Sequence, residues 1–210
     1  MKPNQQTLID YWLKNNIITD KRLIKAFQEV KRENFITKEF LNEAYGDYPL
    51  PIGHEQTISQ PTTIMLMTEA LELKSTDKVL EIGSGSGYQA ALISRLARKV
   101  ISIEIIKDLA LFAKENINKN NIKNVEIINA DGSQGYEKES PYDKIIATAA
   151  CPKIPEALIE QLKENGIIVA PVGPLYGQVM VKAKKIKNKL ISWKLGDFIF
   201  VPLKGKYGYN

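Results

Sequence analysis

The stretch Val79-Leu80-Glu81-Ile82-Gly83-Ser84-Gly85-Ser86-Gly87-Tyr88 decides the fold. An apolar strand leads straight into glycines at alternate positions, and a helical segment over residues 90–96 follows. Glycine permits a tight turn and lets the backbone approach a ligand closely. The stretch therefore predicts the first strand, turn and helix of a doubly wound α/β fold with a nucleotide-type crevice.

The sequence after this turn alternates short apolar runs with helical segments. Strands are predicted at 100–103, 125–128, 142–147 and 167–170, with helices between them, including one over 155–163. This alternation is typical of a parallel sheet covered on both faces. Three further apolar runs, at 179–181, 190–193 and 198–201, have no helices between them. They predict an antiparallel C-terminal end to a mostly parallel sheet.

The sequence before the turn looks helical and carries little strand signal. Two helices are predicted from apolar spacing, the second capped by Thr19 or Asp20, and a third short helix opens at Thr37. A long loop follows, and Ser59 is placed to cap a helix that has Pro61 in its first turn. We therefore expect one domain over 1–210, made of an N-terminal helical cap and loop (1–60) and an α/β core with C-terminal strands (61–210).

Composition sets broad limits on the class of protein. The chain has 210 residues, 44% of them hydrophobic, which is enough for one buried core. A single cysteine, Cys151, forms no intramolecular disulfide, and neither a signal peptide nor a membrane span is apparent, so a cytoplasmic, soluble protein is expected. The net charge is +5, and the basic run 182–189 is interpreted as a solvent-facing edge strand and its turn rather than a nucleic-acid surface.

Candidate ligand-binding residues lie where the predicted strands end. Tyr88 stands where a dinucleotide fingerprint expects its last glycine, which disfavours a pyrophosphate ligand. Glu104 closes the second strand, where a carboxylate can accept hydrogen bonds from both hydroxyls of a ribose. Asp131 suits an adenine amino group and the Gly132 N–H a ring nitrogen, although Asp-Gly alone is a common turn. Ile105 is placed to pack on the adenine face, with a core role as the alternative.

These residues resemble the class I S-adenosylmethionine-dependent methyltransferases, which share a Rossmann-like fold. The segment from Tyr48 to Pro61 looks like the signature loop of the protein-L-isoaspartate O-methyltransferases. The likeness extends over almost the whole chain, in the family's order. It continues through residues 80–88, Asp131-Gly132, Pro141-Tyr142-Asp143, Ala147-Thr148-Ala149-Ala150, Pro171-Val172-Gly173-Pro174 and Phe200-Val201-Pro202-Leu203. Gln60 departs from the small residue common at that position, which puts substrate access in question.

The resemblance implies an activity and a set of site residues. The family transfers a methyl group from S-adenosyl-L-methionine to the α-carboxylate of L-isoaspartyl residues in damaged proteins and peptides, leaving S-adenosyl-L-homocysteine. Ser59 is then the active-site residue, and His54 is expected to have a structural or surface role rather than a catalytic one. The implied cofactor residues are Glu81, Gly83, Gly85, Gly87, Glu104, Ile105, Asp131 and Gly132. The implied substrate-binding residues are Thr57, Ile58, Ser59, Val172, Gly173 and Pro174.

Two other functions use the same residues. A methyltransferase for RNA or a small metabolite would have the same cofactor crevice, and the mild positive charge is its only support. A non-catalytic module that binds the cofactor or damaged protein is the other alternative, which an intact Ser59 and cofactor motif disfavour. We expect no metal, nucleic-acid or membrane partner, and the oligomeric state is left open.

Overall fold

The computed structural model describes residues 4–209, which form a seven-stranded sheet with helices on both faces. The α-helices are α1 (Gln5–Lys14), α2 (Lys21–Glu29), α3 (Pro61–Ala70), α4 (Tyr88–Ser94), α5 (Lys107–Lys119) and α6 (Glu156–Gln161). The strands are β1 (Leu50–Gly53), β2 (Gln56–Ile58), β3 (Lys78–Ile82), β4 (Lys99–Glu104), β5 (Val125–Asn129), β6 (Tyr142–Ala147), β7 (Leu162–Val172), β8 (Gln178–Ile186) and β9 (Lys189–Phe198). Short 3₁₀ helices cover Arg32–Phe35, Lys38–Glu43, Gly132–Gln134 and Glu137–Glu139.

The strand order of the large sheet is β5-β4-β3-β6-β7-β8-β9. The first five strands are parallel, and β8 and β9 are antiparallel to their neighbours. The predicted fold class is therefore confirmed, including the antiparallel end. Strand order reverses at β3, whose two neighbours are β4 and β6, and ligands of open α/β sheets bind at the carboxyl ends of strands at such a point.

Buried apolar side chains lie on both faces of the sheet. One cluster joins Trp12 and Phe27 of the first two helices to α3, α4, α5 and strand residues such as Val79 and Val169. A second cluster lies on the other face, around Leu80, Ile101 and Leu158. The N-terminal helices thus share a core with the sheet. Within residues 4–209, no helix has both the length and the apolar character needed to cross a membrane.

The segment predicted as a long loop contains a β-hairpin. Strands β1 and β2 are antiparallel, with Leu50 opposite Ile58 and Pro51 opposite Thr57. The turn between them has left-handed backbone at Gly53, His54 and Glu55. The expectation of little strand structure before residue 60 was therefore wrong here, because strands of four and three residues are too short to show a clear alternation. The predicted third helix is a 3₁₀ helix, Lys38–Glu43.

Ser59 does not cap α3. The N-cap residue is Gln60, and the hydroxyl of Ser59 makes no hydrogen bond to any residue between 4 and 209. Asp47 instead accepts a hydrogen bond from the Thr62 N–H at 2.9 Å and another from the Thr62 hydroxyl at 2.7 Å. Pro61 opens the helix as predicted. The capping prediction was wrong, and the Ser59 hydroxyl is consequently free for another partner.

Three boundaries of the C-terminal half also differ from the predictions. Helix α6 ends at Gln161, and β7 begins at Leu162 rather than at residue 167. Residues 199–201 are not a third antiparallel strand, because β9 ends at Phe198 and the chain then crosses to a single bridge between Pro202 and Ala150.

The basic run 182–189 begins in β8, which lies between β7 and β9 and is not the predicted edge strand. Its Lys185 is buried, and its ammonium group caps α6 through the Ile159 carbonyl at 2.7 Å.

Candidate active site

A cavity opens at the carboxyl ends of β3 and β4, where the strand order reverses. The hairpin strand β2, the glycine turn and the start of α4 surround it. A segment after β9, residues 201–204, forms another part of the wall. Of the predicted residues, its lining includes Thr57, Ile58, Ser59, Gly83, Gly85, Glu104, Ile105 and Gly132. The structure therefore brings most of the predicted residues together in one cavity.

The glycine turn is held in place by its backbone. Gly83, Gly85 and Gly87 all have positive φ, at 95°, 51° and 85°. The Gly83 N–H donates to the Ile103 carbonyl at 2.8 Å, and the Thr148 hydroxyl donates to the Gly83 carbonyl at 2.7 Å. The turn thus bridges β4 and the end of β6. Gly87 caps α4 and does not line the cavity, so its contribution to this site is to shape the turn.

Glu104 ends β4 with its carboxylate at the wall of the cavity, and the residue is only 6% exposed. One oxygen accepts a hydrogen bond from the Gly85 N–H at 2.9 Å, and the other accepts one from the Ile106 N–H at 3.0 Å. A carboxylate has about four lone-pair directions, so two more donors can be accommodated. The geometry suits the vicinal hydroxyls of a ribose, the contact that was predicted from the position of Glu104 at the end of the strand.

Glu81 lies behind the turn rather than in the cavity. Its side chain is fully buried, one oxygen accepts a hydrogen bond from the Ser102 hydroxyl, and the other has no partner among residues 4–209. The Ser84 hydroxyl lies 2.6 Å from that of Ser102, which completes a short polar chain beneath the glycines. Burial raises the pKa of the Glu81 carboxyl to about 8. Glu81 therefore supports the turn from below and makes no direct contact with the cavity.

Asp131 and Gly132 face different sides of their turn. Gly132 lines the cavity, whereas Asp131 lines a neighbouring depression. The Asp131 carboxylate accepts hydrogen bonds from the Ser133 N–H at 2.9 Å and the Lys206 N–H at 2.9 Å. Desolvation opposes ionisation, but these backbone donors and the Ser133 hydroxyl together lower the pKa of Asp131. The carboxylate thus fastens the C-terminal segment, and its contact with an adenine amino group stays a prediction.

Ser59 stands between the cavity and a surface groove. Both are lined by Thr57, Ser59, Thr148 and Val201, so the two spaces meet at these side chains. The groove continues along Pro49, Gln60, Thr63, Tyr176, Gly177 and residues 197–200. Gln60 is turned toward α3, where its side-chain oxygen accepts the Thr63 hydroxyl at 3.0 Å. Ser59 is therefore placed at the boundary between the cavity and the groove.

The predicted substrate residues Val172, Gly173 and Pro174 lie beside this groove and do not line it. Val172 forms a bridge with Cys151, and the Gly173 carbonyl accepts the Tyr209 hydroxyl at 2.5 Å. Tyr176 and Gly177 line the groove in their place. The backbone of Val172 and Gly173 is therefore already engaged by other parts of the protein. The pairing of these residues with a bound peptide stays a prediction.

Sequence reasoning missed Thr148 and the segment 201–204 as site residues. Thr148 directly follows β6, next to the strand where the order reverses, and that position was a usable signal. Residues 201–204 come from the far end of the chain, and their place is fixed by the Leu203 N–H, which donates to the Ala150 carbonyl at 2.7 Å. A contact over that sequence separation has no local signature.

The residues around the cavity fit S-adenosylmethionine. The carboxylate of Glu104 can accept the ribose hydroxyls, and Ile105 and Gly132 offer an apolar surface for the adenine ring. Gln89 adds a buried side-chain oxygen without a partner among the described residues, at the end nearer to α3. No cluster of three or more His, Cys, Asp or Glu side chains suited to a metal ion occurs in residues 4–209.

Comparison with solved structures defines the class. A crystal structure from Plasmodium falciparum, described as a protein-L-isoaspartate O-methyltransferase in complex with S-adenosyl-L-homocysteine, is 29% identical and matches with a TM-score of 0.83 over 96% of this chain and 98% of its own. Another protein-L-isoaspartate O-methyltransferase structure is 33% identical, with a TM-score of 0.88 over 98% of this chain and 67% of its own. The fold and its cavity are those of a Rossmann-like methyltransferase.

Sequence comparison narrows the class to a family. A protein-L-isoaspartate O-methyltransferase of Methanoculleus marisnigri is 45% identical over 98% of this chain and 94% of its own length, and one of Dictyoglomus turgidum is 45% identical over 100% and 94%. The family model for protein-L-isoaspartate(D-aspartate) O-methyltransferase matches residues 3–208. The chain belongs to this family, as the resemblance of its motifs indicated. The family's reaction is the S-adenosylmethionine-dependent methylation of L-isoaspartyl residues.

Proposed function

We propose that this protein transfers a methyl group from S-adenosyl-L-methionine to the α-carboxylate of L-isoaspartyl residues in damaged cytoplasmic proteins and peptides. The observation that carries the proposal is the junction at Ser59. A cavity suited to the cofactor and a groove open to solvent share Thr57, Ser59 and Thr148 in their walls. A side-chain-sized acceptor that enters from the groove therefore reaches the cofactor cavity at one point.

The acceptor requires little chemical help from the protein. A carboxylate is already ionised at neutral pH, so no base is needed to remove a proton from the attacking oxygen. This agrees with the walls of the cavity and the groove, whose described residues include no histidine or cysteine. When bound, S-adenosylmethionine supplies an electrophilic methyl group on a sulfonium. Positioning of the carboxylate can then provide most of the rate.

Ser59 is the residue proposed to position the acceptor. Its hydroxyl has no hydrogen-bond partner among residues 4–209 and lies at the junction of cavity and groove. A hydroxyl donates well to a carboxylate, and such charge-assisted hydrogen bonds are stronger than neutral ones. Ser59 thus holds the carboxylate at the mouth of the cavity without taking a proton from it.

The walls of the cavity and the bound groups together exclude water from the reacting atoms. Ile52 of the hairpin packs toward Gly85, where an added Cβ would lie 3.3 Å from its terminal methyl. On the other side, residues 201–204 close the wall and are anchored through Leu203. Exclusion of water strengthens the hydrogen bonds that orient the acceptor. It also protects the bound groups from side reactions.

One assay separates the proposal from its two alternatives. Radiolabelled S-adenosylmethionine is offered with an isoaspartyl peptide, the matched aspartyl peptide, and RNA. Base-labile label on the isoaspartyl peptide alone supports the proposal, because methyl esters are hydrolysed by base. Label on RNA would support a nucleic-acid methyltransferase. Binding of the labelled cofactor with no transfer to any acceptor would support the non-catalytic module.

The variant Ser59→Ala tests the role of the hydroxyl. We expect kcat/KM for the isoaspartyl peptide to fall about 10- to 100-fold, the loss of one hydrogen bond to a charged group. The affinity for S-adenosyl-L-homocysteine should stay unchanged. Ser192→Ala, a hydroxyl on the exposed edge strand, is the matched control. Unchanged turnover in Ser59→Ala would remove Ser59 from the mechanism.

A further inference from the structure

The groove beside Ser59 carries one carboxylate. Among the described residues that line it, Asp197 is the sole acid and no lysine, arginine or histidine is present. The remaining walls are apolar, hydroxylic or amide side chains and backbone. Any charged side chain of a bound peptide therefore meets the field of Asp197 before that of another groove residue.

The carboxylate of Asp197 is unengaged. Asp197 is exposed at the end of β9, and it forms no ion pair or hydrogen bond through its side chain within residues 4–209. Its backbone is in register with Val179 of β8, just beyond an irregularity in that pairing. The strand pairing thus fixes the position of the residue while leaving its charge free for a ligand.

A buried glutamine fixes the walls around Asp197. The Gln178 amide nitrogen donates to the Pro174 carbonyl at 2.6 Å and to the Leu175 carbonyl at 3.0 Å, while its oxygen accepts the Phe200 N–H at 2.8 Å. Gln178 is only 1% exposed. One side chain therefore ties the segment before Tyr176 to the segment after Asp197, so both sides of this part of the groove are preorganised.

Tyr176 places an aromatic ring in the same groove. It is 94% exposed, the most exposed large hydrophobic side chain of the described part of the molecule. A free aromatic ring together with a free carboxylate suits an ammonium or guanidinium group, which binds to the face of the ring and pairs with the carboxylate. Neither side chain is held by another side chain within residues 4–209.

We propose that Asp197 is a specificity-determining residue, which together with Tyr176 favours isoaspartyl peptides that carry a lysine or arginine close to the isoaspartyl residue. The inference rests on the proposed function, since the groove must hold the isoaspartyl substrate. An acidic neighbour is disfavoured by the same carboxylate. At about 4 Å in water, the attraction of one charge pair corresponds to roughly fivefold in affinity. The repulsion of a like charge at that distance has the same size.

The test uses three isoaspartyl peptides that differ at one flanking position, with lysine, glutamine or glutamate. This series is repeated on either side of the isoaspartyl residue. For the unmodified protein we expect kcat/KM to fall in the order lysine, glutamine, glutamate, with about fivefold between successive peptides on at least one side. The preference should shrink in about 0.5 M salt, where charges more than a few ångströms apart are screened.

Two variants assign the preference to Asp197. Asp197→Asn should reduce the ratio of the lysine to the glutamate peptide to near one, and Asp197→Lys should invert it. Tyr176→Ala should weaken the lysine preference in part. Glu115→Gln, an exposed carboxylate on α5 away from the groove, is the matched control and should keep the ratio of the unmodified protein.

The outcomes distinguish the inference from the function on which it rests. Equal rates for the three peptides, or a lysine preference that survives in Asp197→Asn, would overturn the inference while the methylation itself supports the function. If none of the isoaspartyl peptides is methylated, both fall. A ratio that changes with the charge at position 197 in the expected order supports the inference.

Discussion

Glu81 is the acidic residue near the site whose pKa is changed most by burial. Its carboxyl is fully buried, and desolvation raises the pKa from 4.5 to about 8 against the opposing hydrogen bond from Ser102. An acid with a raised pKa binds more protons in the folded state than in the unfolded state. The free energy of unfolding therefore falls as pH rises from about 5 to about 8.

We expect Glu81→Gln to reduce this pH dependence. The amide has nearly the shape of the acid and its oxygen can still accept the Ser102 hydroxyl, but it does not ionise. Urea unfolding at pH 5 and pH 8 should show that the unmodified protein loses up to roughly 4 kcal/mol more than the variant over this interval. Glu126→Gln, on the exposed side of β5, is the control. Equal pH dependence in Glu81→Gln and the unmodified protein would contradict the assignment of a raised pKa.

Substitution of Glu104 tests the predicted contact of its carboxylate with the ribose. Glu104→Ala removes an acceptor of two charge-assisted hydrogen bonds from the ligand, so calorimetry should show S-adenosyl-L-homocysteine bound more weakly by about 1–3 kcal/mol. The same carboxylate also holds the N–H groups of Gly85 and Ile106. Thermal unfolding without ligand therefore accompanies the measurement, because it reports loss of the turn's anchor separately. Unchanged affinity would remove Glu104 from the cofactor site.

The glycine turn is the element that connects the sequence motif to the cavity. Alanine substitutions at two glycines test how closely α4 and α5 pack beside this turn. Gly87 and Gly53 have nearly the same φ, 85° and 89°. An added Cβ at Gly87 would lie 3.3 Å from the Ala113 carbonyl oxygen, whereas at Gly53 no atom of the described residues would lie within 4 Å of it. Both alanine variants should lose about 1–2 kcal/mol of stability from the left-handed backbone. Gly87→Ala should lose more, because α5 must shift. Equal losses in urea unfolding would show that α4 and α5 are not closely packed there.

The elements that could be predicted are those with a local signature. The turn, the alternating strands and helices of the core, and Glu104 at the end of β4 all follow from patterns of a few residues. The hairpin was missed because its short strands contain Pro51 and Gly53, which resemble a loop. The hydrogen bond from the Lys206 N–H to Asp131 could not be predicted, because the two residues lie 75 positions apart. These features are fixed by tertiary contacts, which the spacing of residues along the chain does not reveal.

At the scale of the whole molecule, the N-terminal helices are part of the catalytic core. Trp12 packs edge-on against Phe27 with ring centroids 4.8 Å apart, and its indole N–H donates to the Thr62 hydroxyl at 2.7 Å. Phe35 contacts Tyr88, the first residue of α4, with centroids 5.4 Å apart. These contacts run from the cap to the helix that follows the glycine turn. We therefore propose that residues 1–210 form a single domain.

The two tryptophans allow this proposal to be tested. Trp12 is fully buried in the cap, and Trp193 is half exposed on the edge strand β9, so Trp193→Phe leaves one reporter in the cap at little cost in stability. In this variant the Trp12 fluorescence and the far-UV circular dichroism should follow the same urea transition, as expected for two-state unfolding. Saturating S-adenosyl-L-homocysteine should move both transitions together, because a ligand that binds only the folded state stabilises the whole cooperative unit. A fluorescence transition that precedes the loss of circular dichroism, and that does not shift with ligand, would show that the cap unfolds independently.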